Sequence, residues 1–160
     1  MKDRATVICR RNGKVLLVRR SVRWALPGGK IRVDETPLNC ARRELREEIS
    51  VDVGPLEYLW LFRGLSKLHH VFVSDLDDDA RPQPASEICE CRWFTPAEIA
   101  TLVVSVPTWE IVSIASSRHW SGHGQREYRG SDATRRQSES RSQRRPRESS
   151  SKRGILLCGE

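Results

Sequence analysis

Long apolar runs are missing from this 160-residue chain. No stretch reaches the roughly 18 apolar residues that a membrane-spanning helix needs, so no such helix and no membrane partner are expected. The N-terminus, MKDRATVICRRNGK, carries charges where a secretory signal would place its apolar segment. Cysteine is sparse and unpatterned. Cys9, Cys40, Cys89, Cys91 and Cys158 are odd in number and form no C-x-x-C pair, which argues against a disulfide framework and a thiolate zinc site. No segment repeats. These absences leave the expectation of a soluble, cytoplasmic chain with free thiols.

Charge is present but uneven. The whole chain nets +7, yet residues 1–117 hold 17 Lys/Arg against 16 Asp/Glu, while residues 118–160 hold 11 against 5. The basic excess therefore belongs to the C-terminal stretch. There Ser, Arg, Gly and Gln dominate and no apolar periodicity survives, the composition of a disordered tail. Its arginines could recruit RNA through counterion release. The expected organisation is one folded domain over 1–117 and a basic, disordered tail over 118–160.

Within the first 117 residues, local signals alternate. Two β-rich runs flank Asn12-Gly13, the strongest short signal for a tight hairpin turn. WALPGGK (24–30) is a short extended piece broken by Pro27, Gly28 and Gly29, and 31–35 is a loop. Thr36 and Pro37 are an N-cap and first helical residue, and the helix is expected to reach about Ile49. Leu38, Ala41, Leu45 and Ile49 give it one narrow apolar stripe. EYLWLFRG and LHHVFVSDL read as strands joined through Gly64, 75–86 as a polar loop, and ICECRWF as another strand. Thr95, Pro96 and Glu98 form a capping box that opens a helix, and a short helix is expected over 108–115. This order predicts a mixed sheet with helices packed on it.

Chemistry concentrates on the first helix. Glu44, Glu47 and Glu48 share one face beside the apolar stripe, while Arg42, Arg43 and Arg46 are expected mainly on the other side. An ion-paired solubility helix is one explanation, with Arg43 and Glu47 at i,i+4. Against it, Glu44 and Glu48 are also i,i+4, where like charges cost a few tenths of a kcal/mol. Three neighbouring carboxylates raise one another's pKa unless a cation intervenes. Hard oxygen donors suit Mg²⁺ or Mn²⁺. The helix alone leaves both explanations open.

The preceding residues extend the pattern. From Gly29 the chain reads G-x5-E-x7-R-E-L-x-E-E: Gly29, Glu35, Arg43, Glu44, Leu45, Glu47 and Glu48. This resembles the Nudix box, the signature of the Nudix hydrolases. WALPGGK resembles the family's lead-in to the box, and EICECRWFTPAEI (87–99) its last core strand and helix, so the likeness spans about residues 4–115. Two positions depart from it. Ser50 stands where the family has the Gly that ends the helix, at an expected cost of about 1 kcal/mol, and Asp34 stands where Gly is common.

The resemblance implies a Nudix-type α/β/α sandwich with a mixed sheet. It also implies hydrolysis of a pyrophosphate bond in a nucleoside diphosphate linked to another group, with Mg²⁺ or Mn²⁺. By position, Glu47 and Glu48 become the principal metal ligands, Glu44 a further ligand or the base for water, and the Gly28 carbonyl another ligand. Gly29, Glu35 and Arg43 support the box, Glu35 pairing with Arg43. Lys30 is a candidate for substrate phosphate. Glu87 is the candidate general base from a later loop, with Glu90 in reserve. A small nucleotide is the expected substrate, since nothing before residue 4 would supply a further recognition domain. The protein is expected as a monomer or homodimer. Two alternatives accompany this: a non-catalytic Nudix-fold binding module, and an RNA 5′-end-directed protein using its tail.

Other signals carry less. His69 and His70 point to opposite faces of a strand and cannot chelate one metal together. Asp75, Asp77, Asp78 and Asp79 lack the glycine and distal Glu of a calcium loop. Trp24, Trp60 and Phe62 read as core aromatics rather than base-stacking platforms.

Overall fold

In the computed structural model, residues 2–118 are described. Strands β1 (Lys2–Arg11) and β2 (Lys14–Arg19) form the expected hairpin. Asn12 and Gly13 both take positive φ, 50° and 72°, as a primed two-residue turn demands. The strands pair only at Arg11–Lys14 and Arg10–Val15 and then diverge. The wedge is filled by β3 (Trp24–Ala25), which pairs with Val18 and Arg19 of β2, and β4 (Gly28–Lys30), which pairs with Arg4, Ala5 and Thr6 of β1.

Three more strands complete the sheet. On the other edge of β1 lies β6 (Lys67–Asp75), parallel to it from Lys2–Lys67 to Arg10–Asp75. Outside it, β5 (Glu57–Arg63) is antiparallel, with a register shift between Tyr58 and Trp60. The far edge of β2 takes β7 (Glu90–Phe94). The sheet is mixed, as expected.

Strand alternation sorts the core into two layers. Ala5, Val7, Cys9, Leu16, Val18 and Phe72 pack under α1 (Pro37–Ile49), which contributes Cys40, Ala41, Leu45 and Ile49. Ile8, Val15, Leu17, Val71 and Val73 face the other way, against Ile99 of α2 (Pro96–Ile99) and Ile111, Val112 and Ala115 of α3 (Val106–Ser117). Full burial of each large apolar side chain contributes about 1.5–3 kcal/mol, and both layers use many. The result is the expected α/β/α sandwich. No helix among the described residues is long and apolar enough to cross a membrane.

Helix boundaries follow their caps. Thr36 Oγ1 accepts from the Asn39 N–H at 3.2 Å and opens α1. At its other end Ser50 sits in the left-handed region, φ 56° and ψ 33°, and its N–H reaches the Arg46 carbonyl. The Thr95–Glu98 capping box is formed in both directions, yet α2 is one turn only. Its successor α3 begins at Val106, two residues before the sequence places it. The reason is tertiary: the Trp24 N–H donates to the Val103 carbonyl, and the Ser105 N–H to the Trp24 carbonyl. An extended stretch is held against β3, and helix can resume only past it. The expectations for the tail, including disorder and RNA recruitment, fall on 119–160, outside the described residues.

The acidic loop after β6 is tied down by arginines. Arg10 binds Asp75 at 2.6 and 2.7 Å, and Arg11 reaches the carbonyls of Asp77, Asp78 and Ala80. Trp24, Trp60 and Phe62 are partly buried against the layer under α3, as core aromatics.

Candidate active site

The apolar stripe of α1 faces the sheet, so the residues flanking it lie at the sheet's rim. Glu44 and Glu48, one turn apart, are 8% and 2% exposed, whereas Glu47 projects into solvent. Strand β4 crosses beside them. The Gly28 N–H donates to Glu48 Oε2 at 3.0 Å, and the Arg20 guanidinium, just past β2, donates to Glu48 Oε1. The glycines of the box are packing requirements. A Cβ on Gly29 would fall 1.9 Å from Glu44 Oε1, and one on Gly28 would fall 2.2 Å from the Ala5 carbonyl oxygen, at a φ of 139°.

Arg43 is the hub of the cluster. Its Nε and Nη2 donate to the two Glu35 carboxylate oxygens at 2.8 and 3.0 Å, a bidentate pair. Its Nη1 donates to Glu44 at 2.7 Å and Glu47 at 2.9 Å, and its Nη2 also reaches the Lys30 carbonyl. The Glu35–Arg43 brace is therefore formed, and Arg43 does not lie across the helix from the carboxylates. A long side chain at i−1 and i−4 to Glu44 and Glu47 swings between them. Arg46 does face away, to Asp52 at 2.7 Å. Arg32 adds a looser contact to Glu47 at 3.5 Å.

These contacts set the electrostatics. The hydrogen bond from Arg43 is the chief cause that pulls the Glu35 carboxyl down to about 2, and the same bond is the chief cause raising Arg43. Burial pushes Glu48 up, against the Gly28 N–H and Arg20. Burial likewise lowers Arg4, whose guanidinium donates to the Gly28 carbonyl.

Among the described residues, no three His, Cys, Asp or Glu groups converge into a preformed metal cage. Each carboxylate is turned to a guanidinium instead: Glu48 to Arg20, Glu44 and Glu47 to Arg43. The donor chemistry nonetheless fits a hard divalent cation. Three carboxylates share one helix face, the Gly28 carbonyl already faces a cationic group, and buried Glu48 needs positive charge to stay ionised.

The other candidates are distributed as follows. The loop before β7 crosses the end of α1, where the Gln83 and Ala85 N–H groups satisfy the Ile49 and Glu48 carbonyls at 2.9 and 3.0 Å. That crossing brings Glu87 within 3.0 Å of Arg20, the cation that also holds Glu48. Glu90 is not brought to the cluster. It binds Arg19 and Arg92, each at 2.5 Å, and Arg19 alternates with Arg20 onto the opposite sheet face. Lys30 is exposed at the end of β4, next to the cluster. Two residues at the site, Arg4 and Arg20, lie outside any linear motif. Only strand alternation combined with the β1–β4 pairing could have pointed to them.

Beside Glu48, a small cavity of about 70 Å³ is lined by Arg4, Arg20, Ala25 and Leu26. Arg4, Ala25 and Leu26 also line a cavity of about 710 Å³ between the sheet and the start of α3. The carboxylate cluster thus adjoins a space large enough for a nucleotide.

Residues 1–112 match the family model for the NUDIX domain. The chain belongs to the Nudix family. It is a Nudix-type hydrolase, with the box helix at its centre. Phosphatase NudJ of Escherichia coli K12 is 30% identical over 110 residues, covering 61% of this chain and 72% of NudJ. Among solved structures, the E. coli ORF135 protein is 25% identical with a TM-score of 0.60, covering 76% of this chain and 95% of that one. A bifunctional NMN adenylyltransferase/ADP ribose pyrophosphatase from Francisella tularensis, solved with AMP and a manganese ion, is 19% identical with a TM-score of 0.61. It matches over 73% of this chain and 41% of its own, a likeness of fold alone. Both departures from the Nudix pattern have a backbone meaning: Asp34 and Ser50 take φ 64° and 56°, the conformation for which glycine is the usual residue.

Proposed function

We propose that this Nudix hydrolase is a Mg²⁺- or Mn²⁺-dependent pyrophosphohydrolase acting on a small nucleoside diphosphate-linked substrate. The observation that carries this reading is the buried Glu48 carboxylate on a small cavity that shares Arg4, Ala25 and Leu26 with a cavity of about 710 Å³. Glu44, Glu47, Glu48 and the Gly28 carbonyl are the groups that would hold the cation. When bound, such a cation neutralises pyrophosphate oxygens and lowers the pKa of water. Manganese and AMP in the Francisella relative suit the same chemistry.

The chain's own groups do the rest. Glu35 and Arg43 hold the box loop against α1, fixing where Glu44 and Glu47 point. Arg4 stands between the nucleotide cavity and the carboxylates and suits a phosphate oxygen, as does Lys30 from β4. Arg20, tied to both Glu48 and Glu87, aligns Glu87 to accept the proton of the attacking water.

The test is turnover of a nucleotide panel with Mg²⁺, Mn²⁺ or EDTA, beside Glu48→Gln. The panel spans nucleoside triphosphates, ADP-ribose, dinucleoside polyphosphates and 5′-triphosphorylated RNA. Metal-dependent hydrolysis that drops about 100-fold or more in Glu48→Gln is the expected outcome. No turnover from folded protein would replace this reading with a non-catalytic binding module.

A further inference from the structure

The start of α3 puts one carboxylate on the wall of the large cavity. Pro107, Glu110 and Ile111, three and four residues apart, form a helix face turned to that space. Thr108 ties this turn to Leu26, another wall residue, its Oγ1 accepting from the Leu26 N–H at 3.0 Å. Glu110 is half-buried rather than enclosed. It is the one charged residue of α3, VPTWEIVSIASS, so no neighbour one turn away offers it an ion pair. Its carboxylate makes no hydrogen bond or ion pair to any described residue. A solubility helix would not carry its single charge on the cavity side.

Charge around the cavity is divided. Arg4 stands where the space meets the small cavity beside Glu48, and Arg63 and Lys67 come from β5 and β6. Among the described residues, Glu110 is the only acidic group on this wall. A pyrophosphate is drawn to Arg4 and repelled by Glu110, so the nucleoside end of the substrate is the part that meets Glu110. A carboxylate only accepts, and two adjacent N–H or O–H donors satisfy both of its oxygens. A nucleoside offers two such pairs: the N1–H and 2-amino group of guanine, and the 2′,3′-diol of ribose. Adenine and cytosine set a ring-nitrogen acceptor beside their amino group. Uracil flanks its single N–H with carbonyls. Each of these base edges would turn an acceptor towards one carboxylate oxygen.

We propose that Glu110 is a specificity-determining residue that accepts a pair of adjacent hydrogen-bond donors from the nucleoside, either the guanine edge or the ribose diol. This rests on the reading of the cavity as the nucleotide site. No rearrangement is needed, because the carboxylate already lines the cavity and has no partner to displace. Leu26, Val106, Pro107 and Ile111 give the same wall an apolar surface, which suits the flat faces of a nucleoside.

Equilibrium titrations of the full chain in EDTA, where diphosphates are not turned over, test this. GDP and IDP differ only in the 2-amino group, ADP and 2′-deoxy-ADP only in the 2′-hydroxyl. In one of the two pairs the wild type is expected to bind the member with the extra donor about 10-fold tighter, the scale of one hydrogen bond to a charged group. That pair names the source of the donors. In Glu110→Gln, which keeps the shape but replaces one acceptor with a donor, its ratio should fall towards one. Glu110→Ala should give the same result and separates lost acceptance from an amide clash. Ratios near one for both pairs in the wild type, or a ratio unchanged in both variants, would overturn the proposal. Glu48-dependent hydrolysis with both ratios flat would sink this inference and leave the pyrophosphohydrolase reading intact. Neither hydrolysis nor binding would remove both.

Discussion

Two adjacent glycines at the box do different jobs, and substitution separates them. At Gly28 an added Cβ meets backbone, the Ala5 carbonyl, and φ is 139°, so nothing can step aside. Gly28→Ala should cost about 3 kcal/mol or more, read as a lowered denaturation midpoint. At Gly29 the nearest atoms an added Cβ meets are the carboxylate end of Glu44. That side chain can rotate away, so Gly29→Ala should stay folded while metal-dependent turnover falls. Equal melting losses in the two variants would contradict this division. Glu35 adds a pH signature. Its folded pKa lies near 2 against an ordinary 4.5, chiefly through Arg43. A depressed carboxylate stabilises the fold above the unfolded value and loses that contribution as pH falls from about 4.5 to about 2. Glu35→Gln should flatten the acid limb of a stability–pH curve in that window. Glu48, raised by burial, works with the opposite sign: its ionisation above the unfolded value costs stability.

At the scale of the element, α1 is a well-specified helix with one weak end. Thr36, Pro37 and the apolar stripe all agree on its start and its buried face. Its exit does not agree, because Ser50 must adopt φ 56° with a Cβ. Ser50→Gly should raise stability by about 1 kcal/mol, measured by chemical denaturation, without changing turnover. An unchanged midpoint would mean that the loop over the helix end, with its bonds from Gln83 and Ala85, already carries that strain. The same loop positions Glu87, so the helix terminus and the candidate base are mechanically linked.

For the molecule as a whole, the consequence of the fold is a partly buried negative cluster braced by cations. Arg43, Arg20 and Arg4 surround Glu35, Glu44, Glu47 and Glu48 from three different elements. A divalent cation that binds only the folded chain should stabilise it by mass action. Mg²⁺ at millimolar concentration should raise the Tm at pH 7, and Glu48→Gln should abolish most of that rise. A rise of equal size in Glu48→Gln would place the cation elsewhere.

Much of this was legible in the linear order of residues, for a physical reason in each case. The hairpin at Asn12-Gly13, the capped helix from Thr36 and the box spacing depend on contacts within a few residues, where sequence distance and spatial distance coincide. The helical repeat alone put Glu44, Glu47 and Glu48 on one face. Tertiary structure decided the rest. The wedge of β3 and β4 between β1 and β2 brought Arg4 to Gly28, and strand alternation sent Arg20 to Glu48 but Arg19 to Glu90. Pairing of Trp24 with 103–105 set where α3 begins. The large cavity lined by Glu110 exists only because β1, β6 and α3, distant in sequence, close around one space. Local rules fix short-range hydrogen bonds and periodic faces, whereas long side chains and cavities answer to whichever strands the sheet makes neighbours.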